Sequence, residues 1–174
     1  MINIYDNVVE DHIAQLIDAE MRNIQWKFDY PSNTRHPSRH WHVLCTENSS
    51  LDKKYTIENE FDWVMPIWTS AMLKYDFRNT YNVDTFKRIY MNAHTHGIEP
   101  VMHKDDGDFT MIYYPRMDWK PKWGGGTLID GQLVPYVGNR LVIFDAYLEH
   151  MAMPVPRECY ELRSVIVFKC NRNV

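Results

Sequence analysis

The chain has 174 residues, 45% of them hydrophobic and 14% aromatic, with a formal net charge of −4. That length suits one domain with a sizeable core, and the charge argues against a broad basic field for nucleic acid or an acidic membrane surface. No apolar run approaches the roughly 20 residues of a membrane helix, and Met1-Ile2-Asn3-Ile4 lacks the basic and long apolar regions of a secretory signal. The three cysteines, Cys45, Cys159 and Cys170, are odd in number and form no Cys-x-x-Cys, which fits a reduced, cytoplasmic setting. One domain over 1–174 is expected, with residues 1–83 supporting a core at 84–171.

Ile2 to Tyr5 reads as a short strand, and Asp6 as the cap of a helix on which Val9, Ile13, Leu16, Ile17 and Met21 recur at helical spacing. Ile24, Trp26, Phe28 and Tyr30 alternate with polar residues and predict a strand. The proline-rich segment 31–39 predicts a loop, and Trp41, Val43 and Cys45 another strand. Ile57, Phe61, Val64, Met65, Trp68, Met72 and Tyr75 follow a helical period that Pro66 interrupts, so Pro66 is expected in the first turn of a second helix. From residue 84 the pattern changes to short apolar strands: Thr85–Met91, Phe109–Tyr114, Gly126–Ile129, Arg140–Phe144 and Arg163–Phe168, with shorter runs around Val101, Val134 and Met151. Turn signals at Gly107, Gly124-Gly125-Gly126, Asp130-Gly131 and Gly138-Asn139 divide them. Helices followed by many strands predict an α+β fold, a jelly-roll barrel with N-terminal helices packed on one sheet.

Within this pattern stands His103-Lys104-Asp105. Side chains two apart on a strand share a face, so an imidazole and a carboxylate can meet at one point. His150, after the apolar run ending at Phe144, offers a third ligand. Two histidines and one carboxylate form the facial triad of non-heme Fe(II) oxygenases, with the opposite side open. Arg163 opens a strand that continues through Val165, Val167 and Phe168. A buried, unpaired arginine there is costly, which points to an anionic ligand; a salt bridge to Glu161 is the plainer alternative.

The order of these features resembles the 2-oxoglutarate- and Fe(II)-dependent dioxygenases, in particular their prolyl 4-hydroxylase-like branch. The residues that carry the resemblance are Tyr90, His103-Lys104-Asp105, Trp123-Gly124-Gly125-Gly126-Thr127-Leu128 and Pro135-Tyr136-Val137-Gly138. It continues through Leu141–Phe144, His150 with Pro154-Val155, and Arg163-Ser164-Val165, and covers 86–170. The gaps from Tyr90 to His103 and from His150 to Arg163 are longer than in the family pattern. The resemblance implies a double-stranded β-helix that holds Fe(II) by His103, Asp105 and His150. It implies 2-oxoglutarate as co-substrate, its distal carboxylate paired with Arg163 and its oxygens within reach of the Tyr90 and Thr127 hydroxyls. Ascorbate is implied as the reductant. The implied reaction is hydroxylation of a C–H bond with O2, on a prolyl residue of a peptide or on a small molecule.

Other residues read more plainly. His94-Thr95-His96 followed by Glu99 has the look of a cupin metal motif, but lacks that motif's spacing and is expected on a loop near the substrate entrance. Arg39–His42 is expected on a solvated strand face. Asp105-Asp106-Gly107-Asp108 lacks the spacing of a calcium loop, and Asp106 and Asp108 are expected to be exposed. Trp119, Trp123, Tyr113 and Tyr114 are candidates to stack on a substrate ring at the mouth. Two other classes stay open: a cupin-type metal-binding barrel without 2-oxoglutarate chemistry, and a non-catalytic binding module.

Overall fold

A computed structural model describes residues 1–31, 36–48 and 55–173. In chain order the elements are β1 (Ile2–Asp6), α1 (Asp11–Arg22), β2 (Lys27–Tyr30), β3 (His40–Leu44), β4 (Thr46–Asn48) and β5 (Tyr55–Ile57). A 3-10 segment (Asn59–Val64) leads into α2 (Met65–Leu73), α3 (Phe77–Tyr81), β6 (Phe86–His94) and β7 (Phe109–Tyr114). A 3-10 turn (Pro121–Trp123) precedes β8 (Thr127–Ile129), β9 (Gln132–Val134), β10 (Arg140–Asp145), β11 (His150–Ala152) and β12 (Arg163–Cys170). Among the described residues, no helix is long and apolar enough to cross a membrane.

Seven strands pair in the order β1-β10-β7-β12-β6-β3-β2, all antiparallel, and three form a facing sheet, β11-β8-β9. The two sheets make a double-stranded β-helix with the N-terminal helices on the outer face of the large one. Strand alternation divides the large sheet into two faces. Outward go Leu141, Ile143, Met111, Tyr113, Ile166, Phe168, Ile89 and Met91, which pack against Ile17 and Met21 of α1, Ile67 and Trp68 of α2 and Phe77 of α3. Inward go Ile112, Tyr114, Val142, Phe144, Val165 and Val167, which meet Ile129, Val134 and Tyr136 of the small sheet and its loop. Both faces of β7, β10 and β12 are therefore buried, which is why these strands read as unbroken apolar runs.

The inner face changes character across the sheet. Over β1, β10, β7 and β12 it is mostly apolar. Over β6, β3 and β2 it carries Tyr90, Asn92, His94, His40, His42 and Tyr30, as the pairings Val167 with Tyr90, Arg163 with His94 and His42 with Asn92 show. Polar chemistry is thereby gathered on one side of the barrel.

Several local expectations are corrected. Asp6 does not cap a helix: it ends β1 and its carboxylate takes a forked pair from Arg140. The chain turns at Asn7, with φ of 52°. Asn139 then receives the segment after that turn: its amide donates to Val9 O at 2.8 Å and accepts from Val9 N at 3.1 Å. Helix α1 starts four residues later than Asp6 would require, after Glu10. Pro66 does sit in the first turn of α2, but the turn before it is 3-10 rather than α. The hairpin β4–β5 and helix α3 have no counterpart in the sequence expectations. The loop expected over 31–39 lies partly outside the described residues; Pro37, Ser38 and Arg39 have no regular structure. The three cysteines are free and buried.

Candidate metal and co-substrate site

Residues 101–105 form no strand; His103 makes a single antiparallel bridge with His150. Each backbone N–H of that pair donates to the other's carbonyl, at 3.0 and 2.9 Å, and Asp105 N donates to Ala146 O at 2.9 Å. These three bonds clamp the His-x-Asp segment to the chain entering β11, so the extended geometry expected of a strand is supplied by one bridge. His103, Asp105 and His150 are the group of three metal-ligating residues found among the described residues, with ligand atoms all within 4.8 Å of one another.

The histidines are held for ligation. His103 Nδ1 lies 2.8 Å from Val101 O and His150 Nδ1 3.0 Å from Leu148 O. A carbonyl only accepts, so each Nδ1 donates, which leaves Nε2 as the nitrogen of each ring that can ligate a metal. Burial lowers the His103 pKa first, and the neighbouring His150 lowers it further. His150 Nε2 and Asp105 Oδ2 are 3.1 Å apart, and His103 Nε2 and Asp105 Oδ1 are 3.7 Å apart. His103 Nε2, His150 Nε2 and the Asp105 carboxylate converge, and a cation would hold these three donors together. Oriented imidazoles and a hydrogen-bonded carboxylate are the usual support of such a donor set, so the residues fit a divalent metal. Burial opposes ionisation of Asp105, but hydrogen bonding from His150 and the charge of Lys169 outweigh it and hold its pKa far below the usual range.

Arg163 opens β12 and is 2% exposed. Its Nε donates to Gly125 O at 2.6 Å, and one terminal nitrogen reaches Gly126 O at 3.3 Å and Thr127 Oγ1 at 3.2 Å. Gly125 has φ of +70°, and a Cβ there would stand 3.2 Å from Arg163 Cγ. The glycines, a turn signal in the sequence, thus bring backbone carbonyls onto the arginine. Among the described residues no carboxylate forms a salt bridge with Arg163; Glu161, its expected alternative partner, pairs with Arg116 at 2.7 Å. One cavity is lined by the triad, Tyr90, Thr127 and Arg163.

Thr127 is buried, and its hydroxyl oxygen accepts from Tyr114 at 2.7 Å as well as from Arg163. With those acceptor sites filled, its one proton is free to donate into the cavity. The Tyr90 hydroxyl has its pKa raised well above the usual value, by burial and then by the Asp105 charge, and so keeps its proton.

Set against solved structures, the whole architecture recurs. A prolyl-4-hydroxylase from Pseudomonas putida aligns over 99% of this chain and 93% of its own, at 14% identity and a TM-score of 0.65. An oxidoreductase of the 2OG-Fe(II) oxygenase family from Burkholderia pseudomallei aligns over 99% and 85%, at 12% identity and a TM-score of 0.73. The fold is that of the 2-oxoglutarate- and Fe(II)-dependent oxygenases. HygX from Streptomyces hygroscopicus, solved with nickel and 2-oxoglutarate bound, shares it over 99% and 83%, at 8% identity and a TM-score of 0.64. No family model matches the chain, and no curated protein matches it.

On this oxygenase fold, several residues stand elsewhere than the sequence suggested. His94 is the last residue of β6, opposite Arg163, and lines the cavity; it is not on a loop. Neither His94 nor His96 belongs to the converging ligand group. His40 is 3% exposed and its Nε2 has no hydrogen-bond partner among the described residues, so it is not on a solvated face. His42 Nδ1 meets Asn92 Oδ1 at 2.8 Å, and its ring stacks on Tyr30 with centroids 3.8 Å apart. Tyr113 belongs to the helix-side core, Tyr114 is wholly buried, and Trp119 packs on Tyr136; these rings are not free to stack on a substrate. Asp106 and Asp108 are exposed, as expected, and Asp106 takes Lys87 and Arg88 at 2.7 Å each.

Two residues beside the triad went unread in the sequence. Lys169 and Thr110 face one another across β12 and β7, and both contact Asp105 Oδ2. Period-two counting from Arg163 puts Lys169 on the same face, a signal available in the sequence. The identity of its partner was not.

His40 and His94 predict an acid sensitivity. Burial first, then His42, pulls the His40 pKa down to about 4, and burial and then Arg163 hold His94 well below its usual range. The unfolded chain protonates both near 6.5, whereas the folded chain does not. Their contribution is therefore complete above about pH 6.5 and is lost as pH falls toward the folded value. Between pH 7 and 5, His40 alone should cost of order 2 kcal/mol, at about 1.4 kcal/mol per unit. Urea denaturation of the metal-free protein at the two pH values checks this. His40→Gln should flatten the dependence, and an equal slope in that variant removes His40 as its source.

Proposed function

We propose that the chain is an Fe(II)- and 2-oxoglutarate-dependent dioxygenase that hydroxylates a C–H bond, with a prolyl residue of a peptide as substrate. The observation that carries the chemistry is Arg163: a buried guanidinium without a carboxylate partner, in the wall of the cavity that holds a complete facial triad. The charge of the cavity supports it. Asp105 balances Lys169, Arg163 is left over, and a divalent metal adds to the excess, so a dianion is the complementary ligand. A bidentate pair between Arg163 and the distal carboxylate, with Thr127 donating alongside, would orient 2-oxoglutarate toward the triad. The balanced reaction consumes 2-oxoglutarate, O2 and R–H and yields succinate, CO2 and R–OH. Iron held by His103, Asp105 and His150 would supply the redox chemistry that zinc lacks, with ascorbate as a reductant. This chain's part is orientation and exclusion of water: apolar Ile112, Val165 and Val167 wall the cavity beside the polar groups.

A peptide is favoured over a small metabolite by the surface around the cavity. Tyr90 is shared between the cavity and a depression lined by Tyr30, His42 and Arg88. Tyr30 and His42 are shared in turn with an open groove of about 790 Å³ along β2 and β3. Exposed Phe28 and Tyr30 border the groove, suitable surfaces for a proline ring, and His42 and Asn92 offer hydrogen bonds to peptide groups. The likeness to a prolyl-4-hydroxylase supports the same substrate class.

The first test is anaerobic. Protein with Fe(II) should develop a weak visible band on adding 2-oxoglutarate, which marks chelation. Incubation of a peptide library with O2 should then add one oxygen atom to proline. Absence of the band together with absence of 2-oxoglutarate binding leaves a metal-binding barrel and ends the oxygenase reading. Oxygen gained only on other residues or on free amino acids ends the prolyl reading alone.

A further inference from the structure

Lys169 is 0% exposed, three inward positions along β12 from Arg163. Its ammonium forms an ion pair with Asp105 Oδ2 and donates to Thr110 Oγ1 at 3.1 Å. The Thr110 hydroxyl donates to the same Asp105 oxygen at 2.7 Å. Two donors therefore converge on Oδ2, which also faces His150 Nε2 at 3.1 Å, whereas Oδ1 receives neither donor and lies 3.7 Å from His103 Nε2. The fold does not call for this cation. Val165 and Val167 occupy the equivalent inward positions of the same strand, and a buried ion pair is commonly no more stabilising than packed apolar residues.

We propose that Lys169, together with Thr110, is a positioning residue that keeps Asp105 a one-oxygen ligand and so preserves open metal positions for a chelating dianion and oxygen. The inference rests on the metal and 2-oxoglutarate reading above. A carboxylate free to turn can grip a cation with both oxygens; one oxygen held by an ammonium and a hydroxyl leaves only the other. The charge acts in the same sense. A buried cation beside the site repels a divalent metal and attracts a dianion. It also satisfies Asp105 when no metal is bound, which lowers what metal binding gains.

These effects give two consequences of opposite sign. Lys169→Met, similar in length and apolar, should bind Mn(II) more tightly, by about tenfold, a size usual for changes among partners of metal ligands. The Mn(II)-loaded variant should bind 2-oxoglutarate more weakly by about the same factor. Lys169→Gln, which keeps a donor but not the charge, should fall between wild type and Lys169→Met. Thr110→Val should move both affinities in the same directions by less.

Titration calorimetry reads both affinities without turnover. A lysine that merely fills the core would leave both unchanged or weaken both, so the split separates positioning from packing. Unchanged or weaker Mn(II) binding in folded Lys169→Met overturns the proposal. If that variant fails to fold, Thr110→Val decides by the same two measurements. Wild-type protein that binds no Mn(II) overturns the metal reading and this inference with it. Wild type that binds Mn(II) but not 2-oxoglutarate overturns only the co-substrate reading, and the metal arm still decides the role of Lys169.

Discussion

His103→Ala is expected to abolish metal-dependent turnover of 2-oxoglutarate and to take Mn(II) binding below detection, while the protein stays folded. The ring is partly exposed, and its structural bond is one Nδ1–H to Val101 O. The clamp on this segment is backbone to backbone and survives the change. His150→Ala should have the same effect on the metal. Asp105→Ala should also lose the metal, but at a further cost that the sequence did not suggest. It leaves the Lys169 ammonium buried without its counter-ion, and removing one partner of a buried pair typically costs about 3–5 kcal/mol. His94→Ala and His96→Ala should keep the metal. Calorimetry with Mn(II), read beside urea denaturation of the metal-free variants, checks both parts. Metal lost from the His94 or His96 variant but kept in the His103 variant would mean the wrong histidines were chosen. Equal stability in Asp105→Ala and His103→Ala would refute the account of Lys169 as a dependent charge.

Arg163→Ala should weaken 2-oxoglutarate by about 10- to 200-fold while Mn(II) affinity holds. A charge-assisted forked pair contributes roughly 1.5–3 kcal/mol, and each 1.4 kcal/mol is about tenfold in affinity. Metal binding should persist because no Arg163 contact reaches the triad; its bonds go to Gly125, Gly126 and Thr127. Those bonds are also lost in the variant, leaving the Gly125 carbonyl without its donor while Gly126 O keeps the Met153 N–H at 2.8 Å, so some stability should be lost as well. Arg163→Lys keeps the charge without the fork and should fall between the two. The measurement is 2-oxoglutarate titration with the site filled by Mn(II). A folded Arg163→Ala variant with wild-type affinity would falsify the pairing, and the arginine would then serve only to hold the glycine turn.

What the sequence determined by itself is what local pattern controls. β7 and β10 appear where the unbroken apolar runs Phe109–Tyr114 and Arg140–Phe144 lie, bounded by Gly107 and Gly138-Asn139, because strands buried on both faces need such runs. The His-x-Asp spacing nominated His103 and Asp105, though a bridge to His150 rather than a strand holds them, and alternation along β12 nominated Arg163 as a buried cation in want of a partner. Tertiary structure alone decided which residues meet across the sheets. The register of β12 between β7 and β6 sets Lys169 opposite Thr110 and His94 opposite Arg163, and it extends β6 past the point where its apolar signal ends. The pairings of β3 with β6 and β2 bury His40 and set His42 beside Asn92 and Tyr30, where the sequence suggested a solvated face. Packing also withdrew Tyr113, Tyr114 and Trp119 from the mouth, since an aromatic ring reads the same whether it faces a core or a substrate. The physical reason is common to all of these. Side-chain period depends on neighbours in the chain, whereas register and burial depend on partners that the fold brings from far along it.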